Sequence, residues 1–187
     1  MKRILFALLL VCFILPDQPA LARADETITV FAASSLTDAF EEIGAAFEAE
    51  NPGVDVVFNF GSSSSLATQL AEGAPADVFA SANPKQMQVA QDAGRITGSP
   101  RIFARNRLAV IVPADNPAGI ESVTDLAKPG LLLVLAAPGI PVRDYTDTML
   151  DQLGEDMKSA VLANLVSEED NVRQVVAKVA LGEADAG

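Results

Sequence analysis

Residues 27–36 read TITVFAASSL, a short β-rich run that passes directly into two serines and a helical pattern. That pattern has one apolar face, formed by Leu36, Phe40, Ile43 and Phe47. Asn51-Pro52-Gly53 predicts the end of the helix, and a second β-rich run follows at residues 54–60. Two strands separated by one helix are typical of a βαβ unit, so we predict a parallel sheet.

The same alternation continues along the chain. We predict strands at residues 77–80 and 131–135, and helices near residues 66–73, 84–94, 122–126, 142–153, 155–164 and 171–181. Between the two groups lies a long extended stretch, residues 102–113, which we interpret as the connection from one lobe to another. The sequence therefore predicts an α/β fold with a first lobe at residues 25–104 and a second lobe at residues 105–187.

The amino terminus has the pattern of an export signal. Lys2 and Arg3 precede an apolar run at residues 4–15, and Ala22-Arg23-Ala24 is a pattern that signal peptidases accept. The alternative is a membrane anchor, but a run of 12 residues is shorter than the roughly 20 that cross a bilayer. We predict a signal peptide at residues 1–24, cleavage after Ala24 and a bacterial periplasmic protein. The single cysteine, Cys12, would leave with the signal.

Composition excludes several classes of function. The sequence has no histidine, so catalytic triads, imidazole proton shuttles and histidine-ligated zinc are excluded. The formal charge is −12, and it would become −14 after removal of residues 1–24, because three basic and one acidic residue would leave. Such an acidic chain is a poor binder of nucleic acid, which requires a basic surface.

Serines follow both of the first two predicted strands. Ser34-Ser35 comes after the first strand and Ser62-Ser63-Ser64-Ser65 after the second, so both clusters should lie at the carboxyl ends of parallel strands, where such folds bind ligands. Hydroxyls and free N–H groups of helix first turns would form an uncharged cradle for an anion. The alternative is structural: Ser35 would cap its helix in a capping box with Asp38, and residues 62–65 would be a flexible loop.

These same segments carry a family resemblance. Residues 30–40, 60–66 and 73–82, followed by residues 140–142, 169–173 and 184–187, resemble the periplasmic molybdate-binding proteins of bacterial ABC transporters. The resemblance implies a two-lobed, type II periplasmic-binding-protein fold and high-affinity binding of molybdate or tungstate for delivery to a membrane permease. It also implies a monomer that has no cofactor and is not an enzyme.

The resemblance also implies which residues hold the anion. Ser35 and Ser63 would each donate a hydroxyl and a backbone N–H, and Val142 and Val172 would each donate a backbone N–H. Molybdenum would be held only through the oxygens of molybdate, without direct protein ligands. The remaining ligand of the family is a tyrosine hydroxyl in a strand past Gly187, and Tyr145 does not occupy that position.

Because a helix in such a fold returns to a strand, we expect the chain to continue past Gly187 and the second lobe to be incomplete as given. A protein that ended there should be marginally stable and bind its anion weakly.

Three further alternatives stay open at this point. Arg143 adjoins Val142 and is either a surface residue or a cation that complicates the uncharged site. An exported enzyme could instead use a carboxylate such as Asp38 or Asp77 in the same cleft. A sensory domain for another tetrahedral oxyanion, without transport, is the third.

Overall fold

The computed structural model describes residues 26–187, and the predicted signal peptide lies outside them. The strands are β1 (Glu26–Ala33), β2 (Val54–Gly61), β3 (Val78–Ala80), β4 (Leu133–Ala136) and β5 (Leu165–Glu169). The helices are α1 (Thr37–Glu50), α2 (Ser63–Ala71), α3 (Pro84–Asp92), α4 (Pro141–Gln152), α5 (Glu155–Leu162) and α6 (Val172–Ala180). Two short 3₁₀ helices span Ser34–Leu36 and Val123–Ala127. Within residues 26–187, no helix is both long and apolar enough to cross a membrane.

The strands form two parallel sheets. In the first sheet the order is β2-β1-β3, and Val30 of β1 lies opposite Phe58 and Val78. In the second sheet β4 pairs with β5, and Ala186 adds an isolated parallel bridge to Leu133. The predicted α/β class with parallel sheets is confirmed. We call the first sheet with α1 to α3 the first lobe, and the second sheet with α4 to α6 the second lobe.

Both faces of each sheet are covered by helices. On one face of the first sheet, Val30 and Ala32 are buried on the side of α1, whereas Phe31 packs with Leu66 and Leu70 of α2 on the other face. In the second lobe, Leu133 and Leu135 pack with residues of α4 and α5, while Val134 and Ala136 pack against α6. Continuous apolar runs suit such doubly covered strands.

The apolar face predicted for α1 is only partly correct. Phe40 packs against the ring of Phe58, with 6.4 Å between ring centroids, but Ile43 is 60% exposed and Phe47 is 42% exposed. Gly44 is buried against the sheet instead, and a Cβ at that position would lie 2.8 Å from the ring of Phe58. The helix can therefore pack closely on β2 because Gly44 has no side chain. The spacing of apolar residues in the sequence does not reveal this contact.

Each lobe contains the same pair of reciprocal hydrogen bonds, formed between an aspartate and the backbone of a neighbouring segment. Asp77 donates its N–H to the carbonyl of Thr29 (2.9 Å) and accepts the N–H of Thr29 on its carboxylate (2.8 Å). Asp185 and Leu132 exchange the same pair of bonds, both at 2.8 Å. Each aspartate therefore ties its own segment to a neighbouring one, Asp77 to β1 and Asp185 to the residue before β4. This equivalence of the two lobes is a structural repeat that the sequence did not show.

Asp125 stabilises the predicted short helix of the second lobe, which the structure places at Val123–Ala127. Its carboxylate accepts the N–H groups of Glu121 and Ser122 and the Ser122 hydroxyl, and it pairs with Lys128 at 3.0 Å. The bond from Glu121, followed by those from Lys128 and Ser122, holds the pKa of Asp125 well below its ordinary value.

We expect Asp125→Asn to lower the melting temperature at neutral pH. A carboxylate whose pKa is lowered by folding stabilises the folded state fully above its unfolded pKa of about 4, and that stabilisation is lost as pH falls through the folded value. The difference from the unaltered chain should therefore shrink in melts recorded below about pH 4. The exposed loop residue Asp115 offers a matched control as Asp115→Asn. A difference that stays constant with pH would contradict the assignment.

Candidate anion-binding site

The four residues assigned to the anion all lie where a strand leads into a helix. Ser35 is the second residue of the 3₁₀ helix that follows β1, and Ser63 is the first residue of α2, which follows β2. Val142 is the second residue of α4, after β4, and Val172 is the first residue of α6, after β5. All four therefore lie near the carboxyl ends of parallel strands, at the positive ends of helix dipoles.

Ser63 is held in a defined orientation. Its side chain is buried, with 1% of the residue exposed, and its hydroxyl oxygen accepts the N–H of Ala82 at 2.8 Å. Because that bond uses the oxygen as acceptor, the hydroxyl proton remains available for a ligand. Ser62 caps α2 by accepting the N–H of Ser65 at 3.3 Å. The flexible-loop interpretation of residues 62–65 is wrong, since they are the cap and first turn of a helix.

Ser35 is exposed, and the capping box proposed for it is also wrong. No side chain caps the 3₁₀ helix, and the carboxylate of Asp38 contacts Arg173 of α6 rather than the N–H of Ser35. Thr37 supplies the local bond instead, by donating its hydroxyl to the carbonyl of Ser34 at 2.9 Å. The Ser35 hydroxyl therefore does not cap its own helix.

The N–H groups of the two valines are also unused. In α4, Pro141 has no N–H, and the N–H groups of Arg143 and Asp144 both donate to the carbonyl of Ile140. In α6, the side chain of Asn171 accepts the N–H groups of Arg173 and Gln174, at 3.0 and 3.2 Å. Among residues 26–187, no acceptor lies on the N–H of Val142 or Val172. Each is a free donor at a helix start.

A cleft of about 520 Å³ lies between the two lobes. Its walls are Gly61, Ser62, Ser64, Ser65 and Thr68 from the first lobe, and Ile140, Asp170, Asn171 and Gln174 from the second. The four assigned residues flank these walls but are not among them. Sequence reasoning missed Asn171 and Gln174, although an Asn followed three residues later by Gln at a helix start is a capping pattern that could have identified them.

Arg143 is neither a surface residue nor a free cation. It is 8% exposed, its Nε contacts Asp147 at 2.9 Å, and its Nη1 contacts Glu168 at 2.6 Å and the carbonyl of Ala136 at 3.0 Å. Burial alone would lower the pKa of Arg143, but the bonds to the two carboxylates outweigh it and raise that pKa. The predicted surface role is wrong because the side chain joins β4, β5 and α4 beneath the helix start.

Two ion pairs join the lobes beside the cleft. Arg173 of α6 pairs with Asp38 of α1 at 2.8 Å, and Lys85 of α3 pairs with Asp144 of α4 at 2.8 Å. The hydrogen bond and charge of Arg173 lower the pKa of Asp38. Asp38 is therefore engaged, and Asp77 lies at the amino end of its strand, at the opposite edge of the sheet from the cleft. Neither candidate catalytic carboxylate is among the residues that line the cleft.

Comparison with known proteins finds one matching family model and similar proteins from several bacteria. Residues 28–187 match the family model described as bacterial extracellular solute-binding protein. The chain is 45% identical to the molybdate-binding protein ModA of Mycobacterium tuberculosis over 176 residues. This match covers 91% of this chain and 65% of that protein. It is 40% identical over 175 residues to the molybdate-binding protein ModA of Escherichia coli, covering 89% of this chain and 66% of that protein.

A solved structure agrees with these sequence relatives. The substrate-binding domain of a putative molybdenum ABC transporter from Clostridium difficile matches with a TM-score of 0.59 and 30% identity, covering 86% of this chain and 69% of that one. The chain thus spans about two thirds of the length of the curated relatives described above. The predicted two-lobed, type II periplasmic-binding-protein fold is confirmed. This chain belongs to the family of bacterial extracellular solute-binding proteins.

Proposed function

We propose that this protein binds molybdate, and also tungstate, in the cleft between its lobes, and delivers the anion to the membrane permease of an ABC transporter. The observation that supports the proposal is a cleft between the lobes beside strand–helix junctions, two of which carry backbone N–H groups that have no acceptor among residues 26–187. The names of the relatives from Mycobacterium tuberculosis and Escherichia coli support the choice of anion. The proposal includes export by a signal peptide cleaved after Ala24, residence in the periplasm and action as a monomer. It also includes a lobe boundary between residues 104 and 105.

In the proposed complex, Ser35 and Ser63 donate hydroxyl and backbone N–H groups, while Val142 and Val172 donate backbone N–H groups. No side chain binds the metal directly, and within residues 26–187 no group of three acidic, histidine or cysteine side chains is arranged around a common point. Helix dipoles add positive potential without a mobile cation. The protein needs no cofactor and performs no chemical step.

Uncharged donors at fixed positions explain how such a site would select its anion. A dianion is removed from water at large cost, and that cost is offset only when each oxygen meets a donor at hydrogen-bond distance. Sulfate is smaller than molybdate or tungstate, so its oxygens would leave part of a rigid donor set unused. One lost hydrogen bond to a charged group costs about 1.5–3 kcal/mol, which is roughly tenfold or more in the dissociation constant.

Titration calorimetry tests the proposal. We expect molybdate and tungstate each to give saturable heats with one anion per chain, and sulfate to bind at least about tenfold more weakly. Sodium chloride at matched ionic strength is the control for non-specific charge effects. Equal affinity for all three tetrahedral anions, or no heat with any of them, would contradict the proposed function.

A further inference from the structure

Each of the two second-lobe donor residues is followed directly by an arginine. Arg143 follows Val142 at the start of α4, and Arg173 follows Val172 at the start of α6. A guanidinium is the side chain best suited to bind a dianion, because it presents several N–H donors and a full charge. An anion held at these helix starts would therefore lie within reach of two competing cations unless something holds them away.

Carboxylates hold both guanidinium groups. Arg143 is buried and bound to Asp147 and Glu168 of its own lobe, so it is fixed beneath the cleft. Arg173 is bound to one carboxylate of the other lobe, Asp38, through two bonds: Nη2 to Oδ1 at 2.8 Å and Nη1 to Oδ2 at 3.2 Å. The two arginines thus differ in burial, since Arg143 is enclosed by protein and Arg173 is not.

Arg173 is the cation that could turn toward the cleft. Its side chain is 46% exposed and that of Asp38 is 81% exposed, so the pair lies at the rim rather than in the interior. Both N–H groups that Arg173 gives to Asp38 would be available to another anion if that carboxylate were absent. Glu41, one turn further along α1, also attracts Arg173 through its charge, but less than Asp38 does.

We propose that Asp38 sets the selectivity of the cleft by holding the guanidinium of Arg173 away from the bound anion. The inference rests on the proposed function and assigns a residue that the anion itself does not contact. A flexible arginine follows anions of different sizes and strengthens the binding of all of them, whereas fixed N–H and hydroxyl donors discriminate between them. Asp38 therefore acts through Arg173, as a positioning residue.

The experiment measures dissociation constants for molybdate and sulfate, at one ionic strength, in the unaltered chain and three variants. Asp38→Asn should strengthen sulfate binding about tenfold and reduce the preference for molybdate over sulfate by about the same factor, because Arg173 becomes free to pair with either anion. Adding Arg173→Gln to Asp38→Asn should restore the original preference. Glu42→Gln, an exposed residue of the same helix, makes the same charge change and should leave the preference unaltered.

The inference is overturned if Asp38→Asn leaves the preference unchanged, or if the double variant keeps the altered preference of Asp38→Asn. Failure of the proposed function would be a different result, in which the unaltered chain does not prefer molybdate. Even then, sulfate binding that is gained in Asp38→Asn and lost again in the double variant would support the role of Asp38.

Discussion

Replacing Ser63 by alanine is expected to weaken molybdate binding by roughly ten- to a hundredfold. A hydrogen bond to a charged group contributes about 1.5–3 kcal/mol, and each 1.4 kcal/mol is about tenfold in affinity. The variant removes the hydroxyl proton that the proposed site directs at the anion. It also leaves the N–H of Ala82 without its acceptor. Calorimetric titration with molybdate measures the loss.

The matched control is Ser159→Ala, an exposed serine of α5 that is not among the residues lining the cleft. Its affinity for molybdate should change by less than about twofold, because a neutral surface substitution away from the ligand is worth at most about half a kcal/mol. Circular dichroism of both variants checks that the helices remain folded. If Ser159→Ala lost the affinity and Ser63→Ala kept it, the assignment of the donor would be wrong.

Replacing Arg143 by methionine is expected to lower the free energy of unfolding by about 2–3 kcal/mol. Removing one partner of a buried ion pair typically costs about 3–5 kcal/mol, because the remaining charges are left uncompensated. The expected value is smaller, since the side chains of Asp147 and Glu168 remain 39% and 41% exposed and are partly solvated. The carbonyl of Ala136 also loses a donor.

Urea unfolding measures this effect, with Arg101→Met as control because Arg101 is exposed and lies outside the helices and strands. Arg143→Met should also weaken molybdate binding, since the start of α4 would no longer be tied to β4 and β5. An unfolding midpoint equal to that of the control would show that the buried guanidinium contributes nothing to the second lobe.

Local patterns were sufficient to predict most elements of this fold. The β-rich run in β1, the turn after α1 and the serines at the start of α2 each act through neighbouring residues, and the structure has the corresponding elements. Strand β5 was missed, because LVSEE carries two glutamates and lacks the apolar run of a buried strand. Those glutamates are compensated by Arg143 and Lys178, which come from other elements.

The candidate site was predictable only in part, for the same reason. The helix start that carries Ser63 could be predicted from a strand end followed by serines, whereas Val142 and Val172 were assigned only from the family resemblance. The partners could not, because Asp38 and Arg173 are 135 residues apart in sequence and meet only when the lobes are placed together. The acceptor role of the Ser63 oxygen toward Ala82 likewise depends on how α2 lies beside the segment after β3.

Melting of the chain with excess molybdate, with excess sulfate and without either anion distinguishes a selective oxyanion site from one that binds any dianion. A ligand at about 100 times its dissociation constant adds about 2.7 kcal/mol to the folded state, which corresponds to a rise of about 5–10 °C for a chain of this size. We expect that rise with molybdate and a clearly smaller one with sulfate. No rise with molybdate, or the same rise with both anions, would contradict an uncharged site that selects a large tetrahedral oxyanion.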